Sequence, residues 1–411
     1  MGSDNVETLV IGGGQAGLAM SRHLSERGAP HLVVERRRIA ERWRSERWDS
    51  LVANGPAWHD RFPDKNFDDV DPEAFAPASS IVRYLVAYAE AIAAPIRCGV
   101  EVKELRRAAA GAGFRAETSA GPIEADNVVV ATGPFQRPLV PDLMPAGLGV
   151  AQVHSSQYRN PAQLPDGGAL VIGAGSSGSQ IADELRRAGR RVYLSVGPHD
   201  RPPRRYRGRD FVWWLGVLGH WDARTRSPAA EHVTIAVSGA HGGHTVDFRR
   251  LAAAGITLTG TAQGLADGVM DFAPDLARNV ARGDANHLEM LDAADAYALA
   301  QGLDLPEEPD ARRREPDPAC LINPVLRLNL AEAGVKSIVW ATGYALDFSW
   351  IKIDTFDAKG RPVHDCGVSN APGLYFLGLP WLSRRSSAFI WGVWRDALYL
   401  ADHIAARRRA S

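Results

Sequence analysis

The chain has 411 residues, is 45% hydrophobic and carries a formal net charge of −1. That length and apolar content suit two domains with sizeable cores. The near-zero charge excludes any global electrostatic case for nucleic acid or an anionic membrane as partner.

Residues 1–7 are short and polar and show no secretory pattern, and no uncharged apolar run reaches spanning length. A cytoplasmic protein without signal peptide or transmembrane helix is therefore expected. Cys98, Cys320 and Cys366 are the only cysteines; they form no C-x-x-C pair and sit at no zinc-finger spacing, which fits unpaired thiols and no metal centre.

In chain order, residues 8–11 form a short apolar run that predicts a buried strand. A glycine-rich turn follows, then a helix over 15–27, broken by Gly28 and Pro30, and a strand over 31–35. Another buried strand is expected over 127–131. The pattern then restarts: a strand over 169–172, a turn over 173–178, a helix over 179–188 ended by Gly189, and a strand over 191–196. Two such units about 160 residues apart are an internal repeat of a nucleotide-binding motif.

The stretch from about 211 to 325 differs. It holds Phe211, Trp213, Trp214 and Trp221, a Gly/His turn over 239–244, a helical stretch over 273–303 and a Pro/acid/Arg-rich loop over 306–318. It reads as an insertion that caps an active site. Strands over 337–341 and 374–377 and a terminal helix over 386–406 complete the chain.

The first fingerprint is Gly12-Gly13-Gly14-Gln15-Ala16-Gly17. Gly12 permits the tight turn, Gly14 lets backbone approach a pyrophosphate, and Gly17 lets the helix pack on the sheet, while the helix N-terminus favours negative charge. Glu35 ends the next strand, 18 residues after Gly17, where an acid can bind ribose hydroxyls. This pattern points to FAD, with Arg36 and Val102 placed at the same site.

The second fingerprint is Gly173-Ala174-Gly175-Ser176-Ser177-Gly178. No acid ends the next strand, and a basic run follows: Arg201, Arg204, Arg205, Arg207 and Arg209. Arginine suits a 2′-phosphate, so Arg201, Arg204 and Arg205 point to NADPH. Asp200 could instead contact an NADH ribose, and the arginines could simply form a solvated basic loop.

The fold class expected is α/β, with two Rossmann-like dinucleotide-binding domains. An NADPH domain over 151–335 is inserted in an FAD domain made of 1–150 and 336–411. Two nucleotide sites imply hydride transfer from nicotinamide to flavin. A dithiol route onward would need C-x-x-C, which is absent, whereas reaction with dioxygen needs a dry pocket and hydrogen-bond donors.

With these motifs the chain resembles the class B flavin monooxygenases, which include the flavin-containing monooxygenases, the YUCCA enzymes and the Baeyer–Villiger monooxygenases, and is most similar to their bacterial CzcO-like branch. The segment Leu148-Gly149-Val150-Ala151-Gln152-Val153-His154-Ser155-Ser156-Gln157-Tyr158 matches the family linker at His154 and Tyr158 and departs from it at Leu148 and Val150. Tyr158 favours the flavin-containing and YUCCA side. His154 reads as a structural histidine rather than a catalytic one.

Ala131-Thr132-Gly133 and Ala341-Thr342-Gly343-Tyr344 resemble the family's A-T-G segments, where the chain crosses between cofactor domains. Trp43-Arg44 resembles its W-R dipeptide near the flavin. Gly378-Leu379 and the helix after Ser386-Ser387 resemble its closing FAD segment, with either serine able to cap that helix, and Trp391 and Trp394 equally read as core. Ser50-Leu51-Val52-Ala53-Asn54 resembles its S-L-x-T-N stretch, which implies that Asn54 lies over the flavin. Asn54 also reads as a plain turn residue before Gly55-Pro56.

The resemblance implies a flavin-dependent monooxygenase. NADPH reduces FAD, dioxygen forms a carbon-4a hydroperoxyflavin, and one oxygen passes to a nitrogen or sulfur centre, a ketone or a 2-oxo acid. The partners expected are a small-molecule substrate and dioxygen, with a homodimer allowed for. The alternatives are a reductase of a protein electron carrier and a non-catalytic redox sensor.

Overall fold

The computed structural model describes residues 4–108, 113–141, 149–224 and 234–410. The first unit runs β1 (Asp4–Ile11), α1 (Gln15–Glu26), β2 (His31–Glu35), α2 (Ala78–Ala91), β3 (Ile96–Cys98), β4 (Val102–Arg107), β5 (Phe114–Thr118) and β6 (Gly121–Val130). The second runs β7 (Ala151–His154), β8 (Gly168–Ile172), α3 (Ser176–Arg187), β9 (Val192–Ser195), α4 (Phe211–Val217), β10 (Ile256–Thr259), α5 (Leu276–Ala300) and β11 (Val335–Trp340). The chain then returns to the first sheet with β12 (Leu374–Phe376) and α6 (Gly392–Ala410).

Two parallel arrays result. One has the order β12-β6-β1-β2-β3, with β5 adding antiparallel to β6. The other is β10-β9-β8-β11-β7. In each, the strand that feeds a glycine loop lies inside the sheet, between the strand that follows it and one from further along the chain, so a crevice opens at its carboxyl end. Both faces of these strands are covered: Leu9, Val10, Leu170 and Val171 are fully buried. That is why they read as continuous apolar runs rather than alternating ones.

Three sequence expectations change. β11 pairs with β8 and β7, so the chain leaves the second unit after Trp340 and not at 336. β10, inside the stretch expected to be an insertion, is an integral strand of the second sheet; only parts of 211–325 cover the cavity. The terminal helix starts at Gly392, and Ser386 and Ser387 lie in a separate turn, Arg385–Ala388. The Ser387 hydroxyl accepts from the backbone N–H groups of Ser383 and Arg384 at 3.1 Å each and caps no long helix. Among the described residues no helix is long and apolar enough to cross a membrane, and no cluster of three or more His, Cys, Asp or Glu could hold a metal.

Candidate flavin and nicotinamide site

One cavity of about 2270 Å³ joins the two crevices and is lined by both glycine loops. At the first loop, a methyl group on Gly12 would stand 2.6 Å from the Ala131 carbonyl oxygen, and one on Gly17 would overlap the Gly12 carbonyl. A methyl on Gly14 would meet nothing within 4 Å. The loop is thus packed tight on two sides and open on the third, at the N-terminus of α1, where an anion is favoured. Glu35 ends β2 on the cavity wall; one carboxylate oxygen accepts from the Gly13 N–H at 2.8 Å and the other from the Arg37 N–H at 2.9 Å. Gln15 reaches across to the closing segment, donating to the Ala388 carbonyl at 2.8 Å.

The second loop repeats the packing. A methyl on Gly173 would stand 2.5 Å from the Ala341 carbonyl oxygen, and one on Gly178 would overlap the Gly173 carbonyl. The two A-T-G segments therefore play one part each: Ala131 backs the first loop and Ala341 the second. The open side differs. Here a methyl on Gly175 would meet the Thr234 methyl at 2.6 Å, and the Ile235 carbonyl accepts from both the N–H and the hydroxyl of Ser176, at 2.9 and 2.8 Å. A nucleotide lying on this loop has to share it with the Thr234–Val237 strap.

Between the loops, Asn54 lines the cavity. Its Oδ1 accepts from the Gln180 Nε2 at 2.9 Å, and its backbone carbonyl accepts from Arg204 at 2.5 Å. An apolar lobe adjoins it, formed by Phe211, Val212 and Leu215 of α4 with Trp221, Val237 and Phe389. His59 also faces this lobe. Its ring is stacked 5.3 Å from Trp221, its Nδ1 is 2.7 Å from Asp60, and its Nε2 is buried without a protein partner.

Most of the residues singled out from sequence converge here. Gly12, Gly14, Gln15, Ala16, Glu35, Arg36, Trp43, Asn54, Val102, Ala131, Thr132, Gly133, Gly173, Gly175, Ser176, Ser177, Ala341, Thr342, Gly343, Gly378 and Leu379 all line the cavity. Gly17 and Gly178 lie behind it, as their packing role requires.

The arginines do not converge. Arg201 is buried between Asp284 at 3.0 Å and Asp247 at 3.5 Å. Arg204 is 2% exposed, paired with Asp210, and sandwiched between the rings of Phe75 and Phe211 at 4.7 and 4.4 Å. Each guanidinium already has its counter-charge, so a 2′-phosphate would have to displace a carboxylate. Arg205 is exposed and off the cavity wall. Arg44 is likewise exposed, donating to the Ile39 carbonyl at 3.0 Å.

In the linker, Leu148 lies outside the described residues. His154 is buried; its Nδ1 accepts from the Ser156 N–H at 3.1 Å, so its Nε2–H donates to the Gly343 carbonyl at 3.0 Å. Burial holds its pKa below the usual histidine value, so it is a neutral ring fastening the second A-T-G segment. Tyr158 donates to Glu184 of α3 at 2.6 Å.

Sequence reasoning missed Gln180, His59, Asp60 and Arg385. Gln180 follows the last glycine of the second loop by two positions, which only a helical wheel would have flagged. Arg385 is a half-buried cation on the cavity wall that makes no ion pair among the described residues.

An oxidoreductase of Geobacillus kaustophilus described as CzcO-like is 33% identical over 403 residues, covering 97% of this chain and 98% of that one. The chain belongs to the CzcO-like branch of the class B flavin monooxygenase family. The family described as pyridine nucleotide-disulphide oxidoreductase matches residues 9–207 of this CzcO-like protein. An indole-3-pyruvate monooxygenase of the YUCCA type from Oryza sativa is 33% identical over 192 residues, covering 46% of this chain and 47% of that one. A flavin-containing monooxygenase of Stenotrophomonas maltophilia superposes with a TM-score of 0.67 at 19% identity, covering 98% of this chain and 99% of that one, and shares the two-domain Rossmann-like fold. The chain is thus a flavin-dependent oxidoreductase.

Proposed function

We propose that this protein is an FAD- and NADPH-dependent monooxygenase acting on a small organic substrate at a nitrogen or sulfur centre, a ketone or a 2-oxo acid. One observation carries the reading: a single cavity holds both dinucleotide loops, the Asn54 amide and an apolar lobe. FAD fits the first loop, where the open side of Gly14 and the carboxylate of Glu35 stand where a pyrophosphate and a ribose would lie. Bound there, FAD would supply two-electron redox chemistry between a nicotinamide and dioxygen.

The chain's own residues do the rest. Ser176 and Ser177, at the start of α3, hold the nicotinamide nucleotide once the Thr234–Val237 strap, with the Ile235 carbonyl that occupies Ser176, yields. Arg385, rather than Arg201 or Arg204, supplies positive charge to its phosphates. Asn54 donates a hydrogen bond without supplying a free proton, which favours oxygen transfer over peroxide release. The lobe around Trp221 and Leu215 receives the apolar body of the substrate and keeps water out. A 2-oxo acid with an aromatic body is the candidate that the YUCCA-type relative suggests. The test is oxygen-18 incorporation from dioxygen into candidate amines, thioethers and 2-oxo acids in the presence of NADPH. Incorporation with matched NADPH consumption supports the reading; NADPH consumption recovered wholly as peroxide with every candidate counts against it.

A further inference from the structure

We propose that Gln180 is a positioning residue that decides which end of the Asn54 amide, donor or acceptor, is presented to the cavity. The proposal rests on the reading of Asn54 as the donor of the oxygen-using site. The Gln180 Nε2 donates twice, to the Val237 carbonyl at 2.8 Å and to the Asn54 Oδ1 at 2.9 Å. The Val237 carbonyl can only accept, so the Gln180 amide nitrogen must lie on that side, and Asn54 must answer it with its oxygen. The Asn54 Nδ2 has no protein partner among the described residues, while the residue lines the cavity. Donor-outward Asn54 is therefore dictated by a backbone carbonyl two hydrogen bonds away.

The attachment comes from the nucleotide domain and is made at several points. Gln180 and Glu184 are one turn apart on α3 and share a face. Glu184 accepts from the Ser50 hydroxyl at 2.6 Å, four residues before Asn54, and from Tyr158 at 2.6 Å. Arg204 fixes the Asn54 carbonyl. The side chain and carbonyl of Asn54 are thus held by the second unit, whereas its chain neighbours are fastened within the first, the Ala53 N–H to the Ala76 carbonyl at 2.8 Å and the Gly55 N–H to Asp60 at 2.9 Å. Gln180 also holds the end of the strap that lies on Ser176, so a nucleotide that shifts the strap acts on the same amide.

Gln180→Glu tests this. A carboxylate can donate to neither partner, and the amide of Asn54 satisfies it by turning over, so that Nδ2 faces Glu and Oδ1 faces the cavity. Gln180→Leu removes the donor and imposes no orientation. Each variant, with Asn54→Leu and the double variant Asn54→Leu/Gln180→Glu, is reduced anaerobically with NADPH and mixed with dioxygen. Flavin reoxidation and peroxide release are then followed, and a crystal structure of the Gln180→Glu protein reads the amide orientation from its partners.

The expected result is peroxide release faster than wild type by about five- to tenfold in Gln180→Glu and Asn54→Leu, the equivalent of one lost hydrogen bond. Gln180→Leu should be intermediate, and the double variant no faster than Asn54→Leu alone, because both changes act through one group. Fast release in Asn54→Leu with wild-type behaviour in both Gln180 variants would overturn the role of Gln180 and leave the Asn54 reading standing. Wild-type behaviour in Asn54→Leu would overturn both. Should Gln180→Glu fail to retain FAD, the comparison of Gln180→Leu with wild type decides, and equality there overturns the proposal.

Discussion

Gly14→Ala separates the two things a glycine loop does, packing and ligand approach. Gly14 has φ −91° and ψ −169°, an extended conformation open to alanine, and a methyl there meets no protein atom within 4 Å. The apo-protein should therefore be unharmed, or gain about 0.4–1 kcal/mol from the stiffer unfolded chain. The same methyl enters the space over the α1 N-terminus, pushing a pyrophosphate off its N–H donors. Each charge-assisted bond lost there is worth about 1.5–3 kcal/mol, so FAD should bind at least tenfold more weakly, and about a hundredfold more weakly if the ligand retreats from two donors. Gly12→Ala is the contrast: its φ of +120° and the Ala131 carbonyl at 2.6 Å make the substitution destabilising before any ligand is present. Urea unfolding of the apo-proteins and FAD titration by fluorescence quenching measure the two effects separately. Native FAD affinity in Gly14→Ala would refute the placement of the pyrophosphate on this loop.

Arg204→Ala should cost about 3–5 kcal/mol of stability by leaving Asp210 buried and unpaired, and should not selectively raise the Michaelis constant for NADPH over NADH; urea unfolding and steady-state kinetics with both nucleotides check this. Thr234→Ala clears the methyl above Gly175 and should lower the Michaelis constant for NADPH by roughly threefold or more, under 1 kcal/mol of relief; a raised constant in flavin-reduction kinetics would show that Thr234 holds the nucleotide. His154, His199, His287 and His364 all have pKa values lowered by burial. The unfolded chain then binds protons that the folded one refuses, so stability is complete above about pH 6.5 and falls as pH drops below it. His154→Gln should flatten that fall, as read from melting temperatures across the range.

Much of the fold was legible because its signals are local. A buried strand followed by a glycine loop and a helix appears twice, and residues such as Gly12, Glu35 and Gly173 have roles set by backbone geometry within one βαβ unit. The arginine cluster misled for a related reason. Sequence reveals where Arg201 and Arg204 stand relative to β9 but not that Asp284 and Asp247 meet Arg201 from distant segments, or that a tight hairpin turns Asp210, six residues on, back onto Arg204. β10 was hidden inside a stretch dominated by aromatic and helical patterns, and its four residues, Ile256–Thr259, are too few to announce a strand unaided. Asn54 was recognisable by motif, yet its orientation depends on Gln180, 126 positions away, and no periodicity links the two.

Reduced flavin in this cavity is expected to react productively with dioxygen. Rapid mixing of the NADPH-reduced protein with oxygenated buffer, followed by flavin absorbance, tests it most directly. The expected result is fast consumption of dioxygen with a resolved delay before the oxidised flavin spectrum returns, the delay shortened in Asn54→Leu. Slow, single-phase reoxidation, with electrons passing readily to a disulfide or a protein carrier instead, would contradict it.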